Sequence, residues 1–410
     1  MQCGLLGEKL SHSYSPEIHK HFADYTYELF EIAPEGLQAF LRGDSFHGIN
    51  VTIPYKKAVI PYLDGLSERA QTLGSVNTIV RKADGTLIGH NTDYFGFYAL
   101  MLRTGLCVAG KKVLILGSGG ASVTVLAVLH SLEATPVVIS RSGENNYTNL
   151  SRHADASVVV NTTPVGMYPH TGVSPIDLSL FPCLEGVVDL IYNPSKTKLL
   201  LDAEQRKIPA FNGLWMLVAQ AKESAEWFLG RKLPDNMIGS VYTSLQNKMK
   251  NIVLIGMPGC GKSTIGQKLA RKLGREFIDS DSVIEQMAGM SIPDIFSKFG
   301  EKEFRRLETQ ALKELGKRSS LVIATGGGCV TQEENYPLLH QNGSIIWLQR
   351  SLEKLPTDGR PLSQATSLAQ MYTIRKPMYQ AFADTTIHNT GSLESVADRI
   401  ISQLKMEVLP

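Results

Sequence analysis

Lys262, Ser263 and Thr264 close the glycine-rich run GMPGCGKST (256–264), which follows the apolar stretch IVLI. The run matches G-x-x-x-x-G-K-[ST] in full, and its residue types suit one task. Backbone N–H groups wrap phosphates, a lysine reaches the outer ones, and a neighbouring hydroxyl takes a place on Mg²⁺. Gly259, Cys260, Gly261, Lys262, Ser263 and Thr264 are therefore the expected contacts to a nucleoside triphosphate. The motif alone leaves kinase, ATPase and GTPase open. Cys260 has the position of a reactive thiol at a helix N-terminus, although a small residue filling the loop is the simpler reading.

A second glycine turn occurs earlier, in VLILGSGGAS (113–122). It follows a strand-like run and precedes a helix-like one, the context a dinucleotide fingerprint requires. Gly117 would make the tight turn, and Gly119 would let the backbone approach a pyrophosphate at the helix N-terminus. Ser122 stands where the third glycine or alanine would be, so the motif alone also fits a plain turn of an α/β protein. The next strand ends in Ser140-Arg141-Ser142, where an NAD site would place an acid for the ribose 2′-hydroxyl. An arginine flanked by hydroxyls suits a 2′-phosphate, which an acid would repel, and this favours NADP over NAD. If the loop turns away, Arg141 is a solvated surface residue.

Four polar clusters precede that turn: HSYSP (12–16) with Ser13 and Ser15 on one side of an extended segment, INVTIPYKK (49–57) with Asn50, Thr52 and Lys56, SVNT (75–78) with Asn77, and HNTD (90–93) with Asn91 and Asp93. Singly, each reads as a cap, a turn or a solvated lysine.

The elements that must hold these groups follow an α/β pattern. Strand-like runs at 1–7, 48–53, 111–117, 136–140, 157–161 and 186–192 alternate with amphipathic helices, which implies parallel sheets in α/β layers. TSLQNKMKN (243–251) is polar and lysine-bearing, and reads as a linker or as the end of a helix. A second α/β pattern follows: strand 252–256, helix 262–273, strands 321–325 and 344–348, and a closing helix 393–405. No internal repeat or low-complexity tract occurs.

Length and composition bound the rest. A chain of 410 residues is too long for one core and implies two or three domains. With 41 basic against 39 acidic residues there is no basic excess to neutralise a nucleic-acid backbone, so no nucleic-acid partner is expected. The five cysteines are scattered without C-x-x-C spacing, which argues against a disulfide framework or zinc site and for a reducing cytoplasm. No stretch reaches membrane-spanning length, and no membrane partner is expected.

Taken together, HSYSP, NVTIPYK, GSVNT, HNTD, GSGGAS, SRS, NTTPVGM (161–167) and NGLWMLVAQA (212–221) occur in an order and spacing that resembles shikimate dehydrogenase over roughly residues 1–245. The resemblance implies a substrate domain at 1–100 and 213–245 around an NADP domain at 101–212. It implies that Ser13 and Ser15 hold a substrate carboxylate, that Thr52, Asn77, Asp93, Tyr192 and Gln220 bind hydroxyls, and that Lys56 and Asp93 form the catalytic pair. Gly117, Gly119, Gly120, Ala121, Ser140, Arg141, Ser142, Thr163 and Gly213 would bind NADP. Ketone reduction suits such a pair, because an ammonium beside a carboxylate offers a proton and a positive charge to the developing alkoxide. Two departures stand out: Ser140 replaces the family's common asparagine, and the stretch from Arg141 to Asn161 is short, so a helix of the NADP domain is expected to be reduced or lost.

FIDSD (277–281), EFRRLE (303–308), ATGGG (324–328), RPL (360–362) and RKPMY (375–379), together with the phosphate loop, resemble shikimate kinase over residues 251–410. Here the resemblance implies that Asp281, Arg305, Gly327 and Arg375 bind shikimate, that Asp279 lies with Ser263 in the magnesium shell, and that Arg360 contacts nucleotide phosphates from a lid. Asp281 would orient the attacking hydroxyl, with Lys262 on the phosphates as the second catalytic group. Asp279 also reads as a strand terminator, and Arg306 as a solvent-facing residue. The segment from Leu348 to Arg375 is shorter than in the family. The two halves imply consecutive reactions on one small carboxylic acid, with NADP(H), ATP and Mg²⁺ as cofactors. The alternatives are an NAD-using quinate/shikimate dehydrogenase, or one half acting only as a ligand-sensing or scaffolding module. Oligomeric state is not readable from the chain.

Overall fold

The computed structural model describes residues 1–10, 13–355 and 368–406. The chain forms two compact units, each with its own core: one comprises residues 1–166, 173–192 and 202–245, the other 167–172, 193–201 and 246 onward.

The first unit contains two sheets. Strands β1 (Gln2–Gly7), β2 (Thr26–Glu31), β3 (Gly48–Val51), β4 (Gly65–Leu66), β5 (Thr78–Arg81) and β6 (Leu87–His90) form one in the order β2-β1-β3-β5-β6-β4. β1 runs parallel to β2 and β3, but β5 is antiparallel to both β3 and β6. This sheet is therefore mixed, and the expectation of parallel sheets throughout is corrected here. A turn at Asp84-Gly85, with Gly85 at φ +86°, reverses the chain between β5 and β6; such a pair favours tight hairpins. Leu6, Leu41, Ile49, Val51 and Ile79 bury the sheet's inner face.

Strands β7 (Lys112–Leu116), β8 (Thr135–Ile139), β9 (Val158–Asn161), β10 (Gly186–Asp189) and β11 (Ala210–Asn212) form the second sheet, parallel throughout in the order β11-β10-β9-β7-β8. The valine-rich β9 and β10 are wholly buried, as expected of central parallel strands. The helix Gly120–Ser131 links β7 to β8, whereas the β8-to-β9 crossover carries only a short 3₁₀ turn, Leu150–His153. The short stretch after Arg141 thus lacks a crossover α-helix.

The chain then returns as the helix Leu214–Leu229, which packs on Asp93–Thr104. The absence of a Cβ at Gly96 permits the approach: a methyl there would lie 2.7 Å from the Met216 carbonyl and 2.9 Å from Gln220 Cβ. The segment that reads as a linker or a helix end is helical. Asn236–Met249 runs almost to β12 (Asn251–Ile255), the first strand of the second unit.

The second unit holds a parallel sheet in the order β13-β14-β12-β15-β16, with β13 (Glu276–Asp279), β14 (Leu321–Ala324), β15 (Gly343–Gln349) and β16 (Thr385–His388). β12 is buried at every position and pairs with β14 on one side and β15 on the other. Helix Lys262–Leu273 follows the phosphate loop, and a helical stretch Ile292–Lys317, broken at Gly300 (φ +79°), carries the paired arginines. Among the described residues, no helix is long and apolar enough to cross a membrane, and all five cysteines are free thiols.

Candidate functional sites

In the first unit, β3 ends at Val51 and a turn through Thr52 leads into the short helix Tyr55–Ala58, which carries Lys56. Asp93 is the first residue of the helix Asp93–Thr104. Lys56 Nζ donates to Asp93 Oδ2 at 2.5 Å, and both side chains keep partial exposure, 30 % and 17 %. The two predicted catalytic groups are therefore one contact pair.

A buried polar network holds Asp93 in place. Asn77 Oδ1 accepts from the Thr92 amide (2.7 Å), and Asn77 Nδ2 donates to Thr92 Oγ1 (3.0 Å). Asn91 donates to the Ser75 carbonyl and accepts from the Tyr94 amide. Ser224, on the returning helix, lies 3.0 Å from Thr92 Oγ1 and accepts from Asn50 Nδ2 at 2.8 Å, while Tyr27 donates to Asn50 Oδ1 at 2.8 Å. Such a network fixes geometry because each buried polar group would be costly unpaired. Asn77 is only 3 % exposed and spends most of its amide on Thr92. Gln220, half-buried, accepts weakly from Thr92 Oγ1 at 3.3 Å. Sequence reasoning misses Thr92, Ser224 and Tyr27; the Thr in HNTD is the only local signal.

Ser15 begins the helix Ser15–Lys20, and its amide donates to Ser13 Oγ at 3.2 Å. The two serines thus sit at a helix start, not on the extended segment expected. Tyr14 meets Tyr192 edge-on, with ring centroids 6.2 Å apart, which brings the serine cluster beside Tyr192. Burial, reinforced by Tyr14, raises the Tyr192 phenol above its ordinary range, so it stays a neutral donor.

The dinucleotide turn fits a pyrophosphate. Gly117 has φ +102°, and a Cβ there would press on Thr163 Cγ2 at 2.8 Å. Space beyond Gly119 and Gly120 is open, and Ala121 is exposed. No side chain caps the helix at Gly119, which leaves amide donors for an anion. Ser122, in place of a third glycine, is 4 % exposed and donates to the Gly119 carbonyl at 2.6 Å. Thr163 Oγ1 donates to Asn161 Oδ1 at 2.7 Å. At Gly213 a Cβ would overlap the Leu190 carbonyl, so packing alone already requires glycine there. Ser140 Oγ accepts from the Gly143 amide at 2.8 Å, and this turn leaves Arg141 and Ser142 exposed.

In the second unit a cleft of about 490 Å³ opens at the carboxyl ends of β12, β13 and β14. Gly256, Gly259 and Gly261 have φ of +143°, +77° and +100°, conformations that L side chains resist. Lys262 is 8 % exposed and donates to the Gly256 and Met257 carbonyls at 2.9 and 3.1 Å. Ser263 Oγ donates to Asp279 Oδ2 at 2.6 Å. A hydroxyl and a carboxylate oxygen side by side at the phosphate loop form a donor set that suits Mg²⁺. Thr264 also lines the cleft, whereas Cys260 is wholly buried with its thiol in the core. Cys260 therefore contributes backbone only.

Asp279 caps the next helix through the Asp281 amide. Burial, then the nearby Asp279 and Glu308, push the Asp281 carboxyl up to about 6. Its Oδ1 is buried without a partner, as is Glu308 Oε1, and both face the backbone of Gly326. Unsatisfied acceptors of this kind fit incoming hydroxyls. Arg305 pairs with Glu308 at 2.7 Å and with Glu301 at 3.0 Å, and Arg375 donates to the Gly327 carbonyl at 3.1 Å. The three glycines are each required: side chains at Gly326, Gly327 and Gly328 would collide with Asp281 and Glu308, with Pro258, and with the Arg305 guanidinium. Arg306 is exposed and pairs with Glu303. Glu308 is not assigned from the sequence, although it closes EFRRLE. Arg360 lies outside the described residues.

These features define a two-domain α/β nucleotide-dependent oxidoreductase joined to a P-loop phosphotransferase. Residues 5–79 match the family model "Shikimate dehydrogenase substrate binding domain", and residues 258–405 match "Shikimate kinase". A shikimate dehydrogenase (NADP(+)) of Clostridium perfringens is 35% identical over 265 residues, covering 59% of this chain and 97% of that protein. The crystal structure of a chorismate mutase/shikimate 5-dehydrogenase fusion from Clostridium acetobutylicum, 35% identical, covers 60% of this chain and 97% of its own, with a TM-score of 0.57. The Thermus thermophilus shikimate 5-dehydrogenase in complex with NADP(H) and shikimate is 28% identical, with a TM-score of 0.54 and coverage of 59% and 98%. The chain belongs to the shikimate dehydrogenase family and carries a shikimate kinase domain in the same polypeptide.

Proposed function

We propose that the chain performs two consecutive reactions of the shikimate pathway: reduction of 3-dehydroshikimate to shikimate with NADPH, then phosphorylation of shikimate to shikimate 3-phosphate with ATP and Mg²⁺. Residues 1–245 serve the first, with the substrate domain at 1–100 and 213–245 and the NADP domain at 101–212. Residues 250–410 serve the second. The observation that carries the tandem reading is the kinase cleft, which Asp281, with its Oδ1 unpartnered, lines together with Arg305 and Arg375. That arrangement suits a small anionic polyol, the product of a ketone reduction in the first unit.

In the first site, Ser13 and Ser15 hold the substrate carboxylate, and Thr52, Asn77, Tyr192 and Gln220 hold its hydroxyls. Bound NADPH supplies the hydride. Lys56 places a proton at the carbonyl oxygen, and Asp93, within 2.5 Å, orients that ammonium. Gly117, Gly119, Gly120, Ala121, Thr163 and Gly213 border the dinucleotide, with Ser140, Arg141 and Ser142 at its 2′-phosphate.

In the second site, the phosphate loop with Lys262 and Thr264 holds the polyphosphate, and Ser263 with Asp279 would hold Mg²⁺, which neutralises charge on the transferring group. Arg305 already makes three hydrogen bonds to Glu301 and Glu308, which leaves about two of its five N–H groups for a substrate carboxylate. Asp281 accepts the attacking hydroxyl's hydrogen bond and orients it. We read the partners as small molecules, without nucleic acid or membrane, and the location as cytoplasmic.

The test supplies 3-dehydroshikimate, NADPH and Mg·ATP together, and follows NADPH loss and ADP release in one sample. ADP release should lag behind and depend on reduction. Release that proceeds equally well without NADPH would overturn the tandem reading.

A further inference from the structure

Arg350 has no part in the assignments above. It directly follows β15, whose Trp347 pairs in parallel with Ile255 of β12. The chain therefore leaves β15 at the same sheet edge where β12 gives way to the phosphate loop. The Arg350 guanidinium turns toward that loop: it lines the cleft with Gly259, Gly261 and Lys262, and Nη1 lies 3.5 Å from the Gly259 carbonyl. A contact of that length is too weak to account for the placement. The residue is half-buried, and among the described residues no carboxylate pairs with it. A permanently charged guanidinium held there calls for an anionic partner.

Sheet order says which partner. Asp279 ends β13, Asp281 lies in the first turn of the next helix, and Gly326–Gly328 follow β14, so these acceptor-binding groups lie on one flank of β12, where Arg375 joins them at the Gly327 carbonyl. Arg350 lies on the other flank, after β15. In-line phosphoryl transfer places acceptor and leaving group on opposite sides of the transferred group. We infer that Arg350 is a donor-nucleotide residue, its guanidinium pairing with polyphosphate oxygens of Mg·ATP and of the departing Mg·ADP. The inference rests on the kinase reading of this cleft and adds a residue to it.

The experiment begins with the unaltered full chain, whose ATP-dependent phosphorylation of shikimate tests the kinase reading itself. Absence of that activity would defeat the function, and with it this role. With activity present, Arg350→Ala, Arg350→Gln and Arg350→Lys are compared by KM for ATP and for shikimate, and by calorimetric titration with Mg·ADP alone. Loss of a charge-assisted pair should weaken Mg·ADP binding and raise the ATP KM by about ten-fold or more in the alanine and glutamine variants. The lysine variant should recover part of the loss, and the KM for shikimate should stay within about two-fold. An ATP KM and Mg·ADP affinity unchanged within about two-fold, or an equal loss for shikimate, would overturn the assignment. Dehydrogenase activity and a thermal melt accompany each variant. If the alanine variant fails to fold, the lysine and glutamine variants decide: equal affinities for Mg·ADP would count against a charge pair.

Discussion

The 2.5 Å contact between Lys56 and Asp93 joins residues separated by 37 positions, and it is the most economical target for separating the two activities. Lys56→Ala should lower reduction by about 10²–10⁴-fold while shikimate phosphorylation is unchanged. Asp281→Asn should do the reverse, with phosphorylation falling and the NADPH-dependent rate intact. At the cofactor rim, Arg141→Glu should shift the ratio of kcat/KM with NADPH to that with NADH by about ten-fold or more toward NADH. An unchanged ratio would place the 2′-phosphate elsewhere. Lys56, Asp93, Lys262 and Asp281 can be read from the chain because short motifs carry them. Thr92, Ser224 and Glu308 cannot, because their roles depend on partners brought in by the fold. Thr92 and Ser224 meet across 132 positions, and a buried threonine or serine has no local mark of its own.

Secondary elements show a similar division. The apolar runs of β7, β9 and β12 are central parallel strands and are readable as such. The antiparallel centre of the first sheet escapes the sequence pattern because β5 and β6 are four residues each. The Asp84-Gly85 pair between them is the available signal. The helix Leu214–Leu229 supports two predictions. Gly213→Ala, which drives a methyl into the Leu190 carbonyl, should cost about 2 kcal/mol or more in the unfolding free energy of the first unit. Glu223 supplies a pH signature. Burial raises its carboxyl from 4.5 to about 7 despite Arg69, and Oε2 has no partner. A carboxyl whose folded value is raised contributes stability that is full below the unfolded value and is lost as pH rises through the folded one. Glu223→Gln should therefore exceed the parent by about 1–3 kcal/mol near pH 8 and lose that advantage toward pH 4.5, measured by denaturant unfolding across pH.

At the scale of the whole chain, each unit has its own buried core and its own candidate ligand site. Calorimetry should resolve ligand effects accordingly: NADP⁺ at about 100 times its Kd should raise one transition by about 2.7 kcal/mol equivalent, and Mg·ADP the other. A single transition raised by both ligands would refute this. Lys262 has a further consequence. Its ammonium already sits on two loop carbonyls and is almost out of contact with solvent. Nucleotide capture is therefore expected to exchange these carbonyls for phosphate oxygens, with less hydration lost from the ammonium than a solvent-exposed lysine would lose. The same two carbonyls are placed to receive the ammonium again when ADP departs, so the loop itself stands in for the phosphates between turnovers.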